Sequence, residues 1–488
     1  MSRDLHRESP KIPTASRSFL WLLCLVSYIS GCTVGPKYVR PTAEVPADYK
    51  EAGTWKTAQP SDSISKGKWW EIYQDPQLNS LEDRIAVSNQ NLKIAQAQFL
   101  EARAALKISR SGLFPTITGN ASAAHLQQSH NRPLFNSSTA KTNYSDYTIT
   151  ADASYEADIW GRVRRTVEAS RSEAQASAAD LASVDLSLHA ELASDYFGLR
   201  GLDAQKALLS STVVSYEKAL ELTQNRYQGG LASAVEVAQA QTILETTRAL
   251  AIDVGVQRAA FEHAIAVLVG EPPATFSLSV LPLTTPPPSI PPGLPSDLLE
   301  RRPDIAAAER RVQEANAQIG VAKAAYFPML TLSGSGGFES AAITTLIQGP
   351  SGLWSFGGAA VETLFDAGRR RGVSDQAIAA HERFVASYRE TVLSAFQEVE
   401  DNLAALRILE EEAKTEEAAV AAAQHSLALS ENRYRGGVTS YLEVTVAQSA
   451  ALSDEVTAVN ILTRRMTSSV LLIKAIGGGW NVSQIPRV

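Results

Sequence analysis

One stretch constrains this chain more than any other: from about Val163 to Tyr227 there is no proline, and apolar residues recur at helical spacing. Leu181, Val184, Leu188, Leu192, Tyr196, Leu199 and Leu202 follow one another three or four positions apart, the period of an amphipathic helix. Some 64 residues at 1.5 Å each extend about 96 Å. No single globular domain encloses such a helix, so the chain must build a rod, a coiled coil or a tube.

The chain is also written twice. Asn91-Leu-Lys-Ile-Ala…Glu101-Ala…Phe114-Pro115 aligns with Asp304-Ile-Ala-Ala-Ala…Glu314-Ala…Phe327-Pro328 at an offset of 213. Further on, the segments 225–241 and 432–448, both opening Asn-Arg-Tyr-x-Gly-Gly, share ten of seventeen residues at an offset of 207. Such self-similarity defines the architecture before any motif does. A Pro-rich joint, residues 286–295, separates the copies and cannot be helical. The second copy carries its own long helical pattern in Val392, Phe396, Val399, Leu403 and Leu406.

Each copy reads in one order. A helix runs from about Pro76 to Arg110, its twin from Arg302 to Ala325, and both stop at Phe-Pro. Strands follow. Tyr147, Ile149, Ala151, Ala153 and Tyr155 alternate with Thr148, Thr150, Asp152 and Ser154. The two tyrosines stand roughly 26 Å apart along a strand, the height of the apolar band of an outer-membrane barrel with an aromatic girdle at each edge. Leu330 and Leu332 alternate with Thr331 and Ser333 in the second copy, and Trp354 and Phe356 flank Ser355. Ser129–Ser145, rich in Asn, Ser and Thr, reads as the exposed loop of the first strand pair. After Gly161 and Gly368 the long helices begin; at Gly229-Gly230 and Gly436-Gly437 they end and a second helix returns.

Four strands cannot close a barrel, for which about eight is the minimum. An open sheet in lipid leaves backbone groups unsatisfied at its edges. Membrane-spanning strands therefore require several chains, and three give twelve strands.

The N-terminus reads as an address. Basic residues precede a ten-residue apolar run, Phe19–Tyr28, which suits a signal-peptide core and is too short to cross a bilayer. It closes on Ile29-Ser30-Gly31-Cys32, which looks like a bacterial lipobox: cleavage between Gly31 and Cys32, then acylation of Cys32. Thr33 in place of an aspartate favours the outer membrane. The formal charge of −7 argues against a nucleic-acid partner, which needs a basic surface. Two cysteines supply neither a disulfide framework nor a structural zinc site. Seven histidines show no metal-ligand spacing, and no nucleophile–base–orienter set suggests an enzyme. No cofactor is expected.

Cys32, Gly35-Pro-Lys-Tyr-Val-Arg-Pro41, Trp69-Trp70…Asp75-Pro76, Arg301-Arg-Pro-Asp-Ile305…Glu309, Phe327-Pro328, the doubled Asn-Arg-Tyr-x-Gly-Gly and Gly477-Gly-Gly-Trp480 together resemble the OprM/NodT-type lipoproteins of the TolC outer-membrane efflux family. The resemblance implies a mainly α fold with a membrane β part and two tandem structural repeats per chain. Homotrimers would form a 12-stranded outer-membrane β-barrel continuous with a 12-helix periplasmic α-barrel. The segments follow: signal peptide 1–31, extended equatorial segment 32–75, first repeat 76–270, linker 271–297, second repeat 298–476 and tail 477–488.

The same resemblance implies a non-enzymatic exit duct for small toxic compounds, lipid-anchored in the outer membrane. Its partners would be a periplasmic adaptor and an inner-membrane pump of the proton-driven RND type. A protein-secretion duct and a lipid-anchored coiled-coil scaffold without a pore are the alternatives. In such ducts the tips 226–236 and 433–443 close the periplasmic mouth and the adaptor docks around them. Arg226, Tyr227, Arg433 and Tyr434 would hold neighbouring tips shut, while Leu442 and Glu443 would line or brace the constriction. The Gly229-Gly230 and Gly436-Gly437 pairs permit the turn. Ser233 and Ser440 read as helix caps, with Glu236 and Glu443 three residues on as in a capping box; capping and gating roles for the glutamates can hold together. Val446 stands where relatives often carry an acid, so closure there is expected to be more apolar. Arg162, Arg164, Arg165 and Arg369–Arg371, at the strand-to-helix corners, invite contact with anionic lipid headgroups.

Overall fold

The computed structural model describes residues 33–52, 67–129, 142–290, 293 and 295–486. Seven helices and four strands carry the fold among these residues: α1 (Pro76–Ser88), α2 (Gln90–Ser111), β1 (Thr116–Gln127), β2 (Asn143–Glu156), α3 (Arg162–Gln228), α4 (Ala234–Leu268), α5 (Pro303–Ala324), β3 (Met329–Ser340), β4 (Gly352–Val361), α6 (Arg369–Arg435) and α7 (Tyr441–Ala475). A single turn, Leu298–Arg301, precedes α5.

The long helices begin and end on glycine for a conformational reason. Gly161 and Gly368, at φ 84° and 88°, turn the chain from strand into α3 and α6. Gly230 and Gly437, at φ 72° and 71°, reverse it into α4 and α7. That left-handed region costs a side-chain-bearing residue about 1 kcal/mol or more. Each of α3 and α6 has 67 residues, about 100 Å of helix. The helix expected from Pro76 to Arg110 is interrupted. Asn89 adopts an extended conformation (ψ 127°); its side chain accepts from the Leu92 amide at 2.9 Å and donates to the Leu268 carbonyl at 2.8 Å. A short amide side chain offers the backbone this alternative to helix, and so it caps α2 rather than continuing α1.

All four strands pair antiparallel in the order β1-β2-β3-β4. Their register sorts the faces. Opposite one another on one face lie Ile117, Gly119, Ala121 and Ala123 of β1; Ile149, Ala151 and Ala153 of β2; Leu332, Gly334, Gly336 and Phe338 of β3; and Trp354, Phe356 and Gly358 of β4. The other face carries Asn120, Ser122, Thr148, Thr150, Asp152, Ser333, Ser335 and Ser355. There Asp152 accepts from Ser335, Asn120 and Thr150. Gly337 is required: a Cβ there would lie 2.0 Å from the Ile149 carbonyl oxygen. Asn143–Ser145, expected in the loop, belong to β2, and residues 130–141 lie outside the described part.

Near the sheet α2, α3, α5 and α6 form one layer; beyond it α3 and α6 continue beside α4 and α7. The principal core sits between these levels. Tyr49, Trp69, Trp70, Leu78, Ile85, Tyr196, Leu199, Ile265, Leu278, Ile290, Val399 and Val470 are buried there, so the N-terminal segment and the Pro-rich joint are bound at mid-height. The Asp203 carboxylate, fully buried, accepts from Arg200 at 3.2 Å, Arg258 at 2.7 Å and the Leu281 amide at 2.9 Å. It thereby ties α3 and α4 to the linker at Leu281. No described helix is long and apolar enough to cross a membrane.

Candidate functional site

The far ends of the two helical hairpins meet in one cluster. Tyr434, Tyr441 and Val444 of the second hairpin are buried against Ala240 of the first, with the two tyrosine rings edge to face at 5.2 Å. The Tyr434 hydroxyl donates to Glu236 at 3.1 Å. Burial and the neighbouring Glu236 carboxylate push the Tyr434 hydroxyl pKa up. The Arg226 guanidinium covers the Tyr434 ring at 4.7 Å and donates to the Arg435 carbonyl at 3.0 Å. Arg226, Glu236 and Tyr434 thus form a bond between hairpins inside one chain.

Equivalent positions in the two copies behave differently. Tyr434 is 3% exposed, whereas Tyr227 is 50% exposed. Ser233 accepts from the Glu236 amide at 3.4 Å, while Ser440 makes no side-chain cap bond. Of the capping boxes expected at both tips, only the serine half is seen, and only at the first; the Glu236 carboxylate accepts from the Ser233 hydroxyl at 3.5 Å and from Tyr434 at 3.1 Å. Glu443 instead faces Arg433 across a loose 3.9 Å pair. Leu442 and Val446 point to the surface of the chain, 55% and 63% exposed. Gly229 and Gly436 close the helices, and Gly230 and Gly437 make the turns.

Three residues of the cluster escape the sequence reading. Tyr441 donates to the Gln448 side chain at 3.3 Å, and Tyr216 to the Gln448 carbonyl at 3.1 Å. The available signal was a departure between copies: Tyr441 stands where the first copy has Ala234.

At the other end, Tyr147 and Tyr155 share the apolar face of β2, eight residues apart. The corner arginines are largely engaged within the chain. Arg162 pairs with Glu156, Arg164 with Asp158, Arg165 with Glu168 and Arg370 with Asp366. Their charges are compensated locally, which removes most of the reason to assign them to lipid. Gly31 and Cys32 lie outside the described residues, but the chain that follows them is fixed at this corner. The Val34 amide donates to the Trp160 carbonyl at 3.0 Å, and Thr33 lies against Gly161. Trp160 itself stacks on Phe327 at 4.7 Å and donates to the Pro328 carbonyl at 2.9 Å.

No group of three His, Cys, Asp or Glu among the described residues is placed to hold a metal. His189 is a structural residue: buried, it stacks on Trp70 at 4.3 Å and faces Glu82 at 2.6 Å.

A sheet with one apolar face, carried on paired hairpins that meet at their tips, is the subunit plan of outer-membrane channels. The channel OprN superposes with a TM-score of 0.86 at 29% identity, covering 92% of this chain and all of that one. CmeC of Campylobacter jejuni gives 0.86 at 27% identity, covering 93% and 96%. The family model for outer membrane efflux proteins matches residues 81–271 and 294–478, and the chain belongs to that family. Among relatives, the probable efflux pump outer membrane protein SepC of Pseudomonas putida is 34% identical, covering 94% of this chain and 96% of its own. The outer membrane protein OprJ of Pseudomonas aeruginosa is 31% identical, covering 94% and 95%.

Proposed function

We propose that this chain forms the outer-membrane exit duct of a tripartite efflux pump for small toxic compounds, opened at its tips by a periplasmic adaptor. One observation carries the reading: the sheet has an apolar face and two unpaired edges, and it stands on hairpins that are bonded to each other at the opposite end. In lipid those edges must be paired, and three chains give a closed barrel of twelve strands above twelve helices. Tyr147 and Tyr155 form the aromatic girdle. An acylated Cys32, one residue before Thr33 at the strand-to-helix corner, inserts into the leaflet nearest the helices. The polar face lines the pore. No catalysis is required of the chain; energy comes from an inner-membrane pump of the proton-driven RND type.

At the mouth, Arg226, Glu236 and Tyr434 keep the two hairpins of a protomer together. Leu442, Glu443 and Val446, exposed in the single chain, face the axis of the trimer, with apolar closure at the Val446 level. The adaptor docks around the turns at Gly229-Gly230 and Gly436-Gly437.

A photo-crosslinking residue at Ser233 or Ser440, in living cells, tests both assignments. Capture of the adaptor of a proton-driven drug pump is the expected result. Capture of an adaptor from an ATP-driven secretion system would shift the cargo to polypeptides. Intact trimers that capture neither would refute the docking assignment.

A further inference from the structure

Two glycines, Gly198 and Gly201, stand inside α3 at the level of the principal core. A Cβ at Gly198 would lie 2.8 Å from the Phe261 ring of α4, and one at Gly201 would lie 2.1 Å from the Thr463 hydroxyl of α7. Both helices therefore close on bare α3 backbone here, and the three enclose a cavity of about 350 Å³. Asp195, Gln257, Phe261, Asn460 and Thr463 are among its walls, and no Lys, Arg or His lines it. Tyr196 and Arg200 of α3 bond to Asp75 and Gln77, and Ser469 of α7 bonds to Tyr73. Gly198 and Thr467 of the cavity lie two residues from these, about 200° round their helices. The cavity thus faces away from the N-terminal segment. In a duct that segment must run outside, or it would fill the passage, so the cavity opens on the lumen.

Asp195 gives the cavity its chemistry. Burial and the neighbouring Glu191 carboxylate raise its pKa from 3.8 to about 6, and no cation among the described residues pairs with it. Asp203, two turns further along α3, has Arg200 and Arg258 instead. A half-buried carboxylate without a partner is relieved by a cation that arrives from outside. Phe261, on the facing helix, adds a ring that attracts a cation to its face. The volume suits a small organic molecule. We infer that this cavity binds one organic cation, an amine or quaternary ammonium on an aromatic body, as a resting site for such cargo midway along the duct. The inference rests on the proposed efflux duct and names a class of compound that it carries. The second copy does not repeat the site. At the offset of 207, Asp195, Gly198, Gly201 and Phe261 become Asn402, Ala405, Ile408 and Ser468, which removes the charge, the bare backbone and the ring together. Each chain therefore carries one site.

Ethidium, an aromatic cation whose fluorescence rises as it leaves water, is the probe. The purified full chain is titrated with it in lipid nanodiscs, and the same preparation is placed in planar bilayers to record current. Saturable binding of one ethidium per chain is expected, with brief blocks of the current. Asp195→Asn removes the charge at constant shape and should weaken binding at least tenfold and shorten the blocks, while Asp195→Glu should keep most of the affinity. Phe261→Leu acts from the other helix and should weaken binding several-fold. Eosin, an anionic dye of similar aromatic character, should not displace ethidium. Conducting channels that bind ethidium equally in the wild type, Asp195→Asn and Phe261→Leu would overturn the site and leave the duct standing. A wild-type chain that forms no conducting channel would overturn both.

Discussion

The Arg226 guanidinium lies 4.7 Å from the centre of the Tyr434 ring, joining the end of one 67-residue helix to the end of the other. A cation over an aromatic face is worth about 0.5–2 kcal/mol, more as water is excluded. Here the ring is also fixed from its edge by Tyr441 and through its hydroxyl by Glu236.

Tyr434→Phe keeps the ring and removes the bond to Glu236, a hydrogen bond to a charged acceptor worth about 1.5–3 kcal/mol. In a duct that closes at its tips, this loosens closure without disturbing assembly. The expected outcome is a higher open probability in planar bilayers and greater sensitivity of cells to bulky antibiotics, with trimer stability unchanged. Unaltered conductance would show that this bond does not hold the tips.

The two serine caps are predicted to differ although the sequence writes them alike. Ser233 accepts from the Glu236 amide, whereas Ser440 bonds no helix amide. Loss of an N-cap costs about 0.5–2 kcal/mol. Ser233→Ala should raise amide exchange over the first turn of α4, and Ser440→Ala should leave the first turn of α7 unchanged. Equal effects would refute the asymmetry.

The physical source of that asymmetry explains what was legible in the sequence. Proline-free length, the glycines at 161, 230, 368 and 437, and the alternation around Tyr147 and Tyr155 act through local backbone rules, so they survive in a single sequence. β1 was not delimited, because Gly119, Ala121 and Ala123 are too small to mark an apolar face beside Thr118 and Ser122. The break at Asn89 was hidden because helical periodicity continues on both sides of it. The Tyr434–Tyr441 cluster depends on which hairpin lies beside which, a tertiary relationship no spacing encodes. Identity between copies marked the turns; the places where copies differ, Tyr441 for Ala234, mark the contacts between them.

Asp203 is predicted to be the costliest single carboxylate to remove from mid-height. It is fully buried between Arg200 and Arg258 and also holds the Leu281 amide. Truncating one member of a buried ionic cluster leaves charge uncompensated, at about 3–5 kcal/mol. Asp203→Ala should lower the thermal midpoint of the protein and make the linker around Leu281 more open to protease, while Asp304→Ala, partly exposed, should do less. A stable, protease-resistant Asp203→Ala protein would remove this cluster from the account.

The His189–Glu82 pair should make stability fall as pH rises, and above pH 7 the fall should come through His189. The Glu82 and Asp185 carboxylates, at 2.6 Å and 3.6 Å, hold the His189 imidazole protonated against the opposing effect of burial, raising its pKa from 6.5 to about 9. Burial pushes Glu82 up from 4.5 to about 7, against the pull of His189. Both groups therefore bind more proton folded than unfolded. Linkage then gives stability that is present at low pH, declines from 4.5 to 7 through Glu82, and is lost from 6.5 to about 9 through His189. At 1.36 kcal/mol per pKa unit the histidine contributes on the order of 3 kcal/mol. Thermal midpoints measured between pH 6 and 9.5 should decline for the wild type, and His189→Gln should flatten the curve above pH 7. A slope that persists unchanged in His189→Gln would assign the titration to other groups.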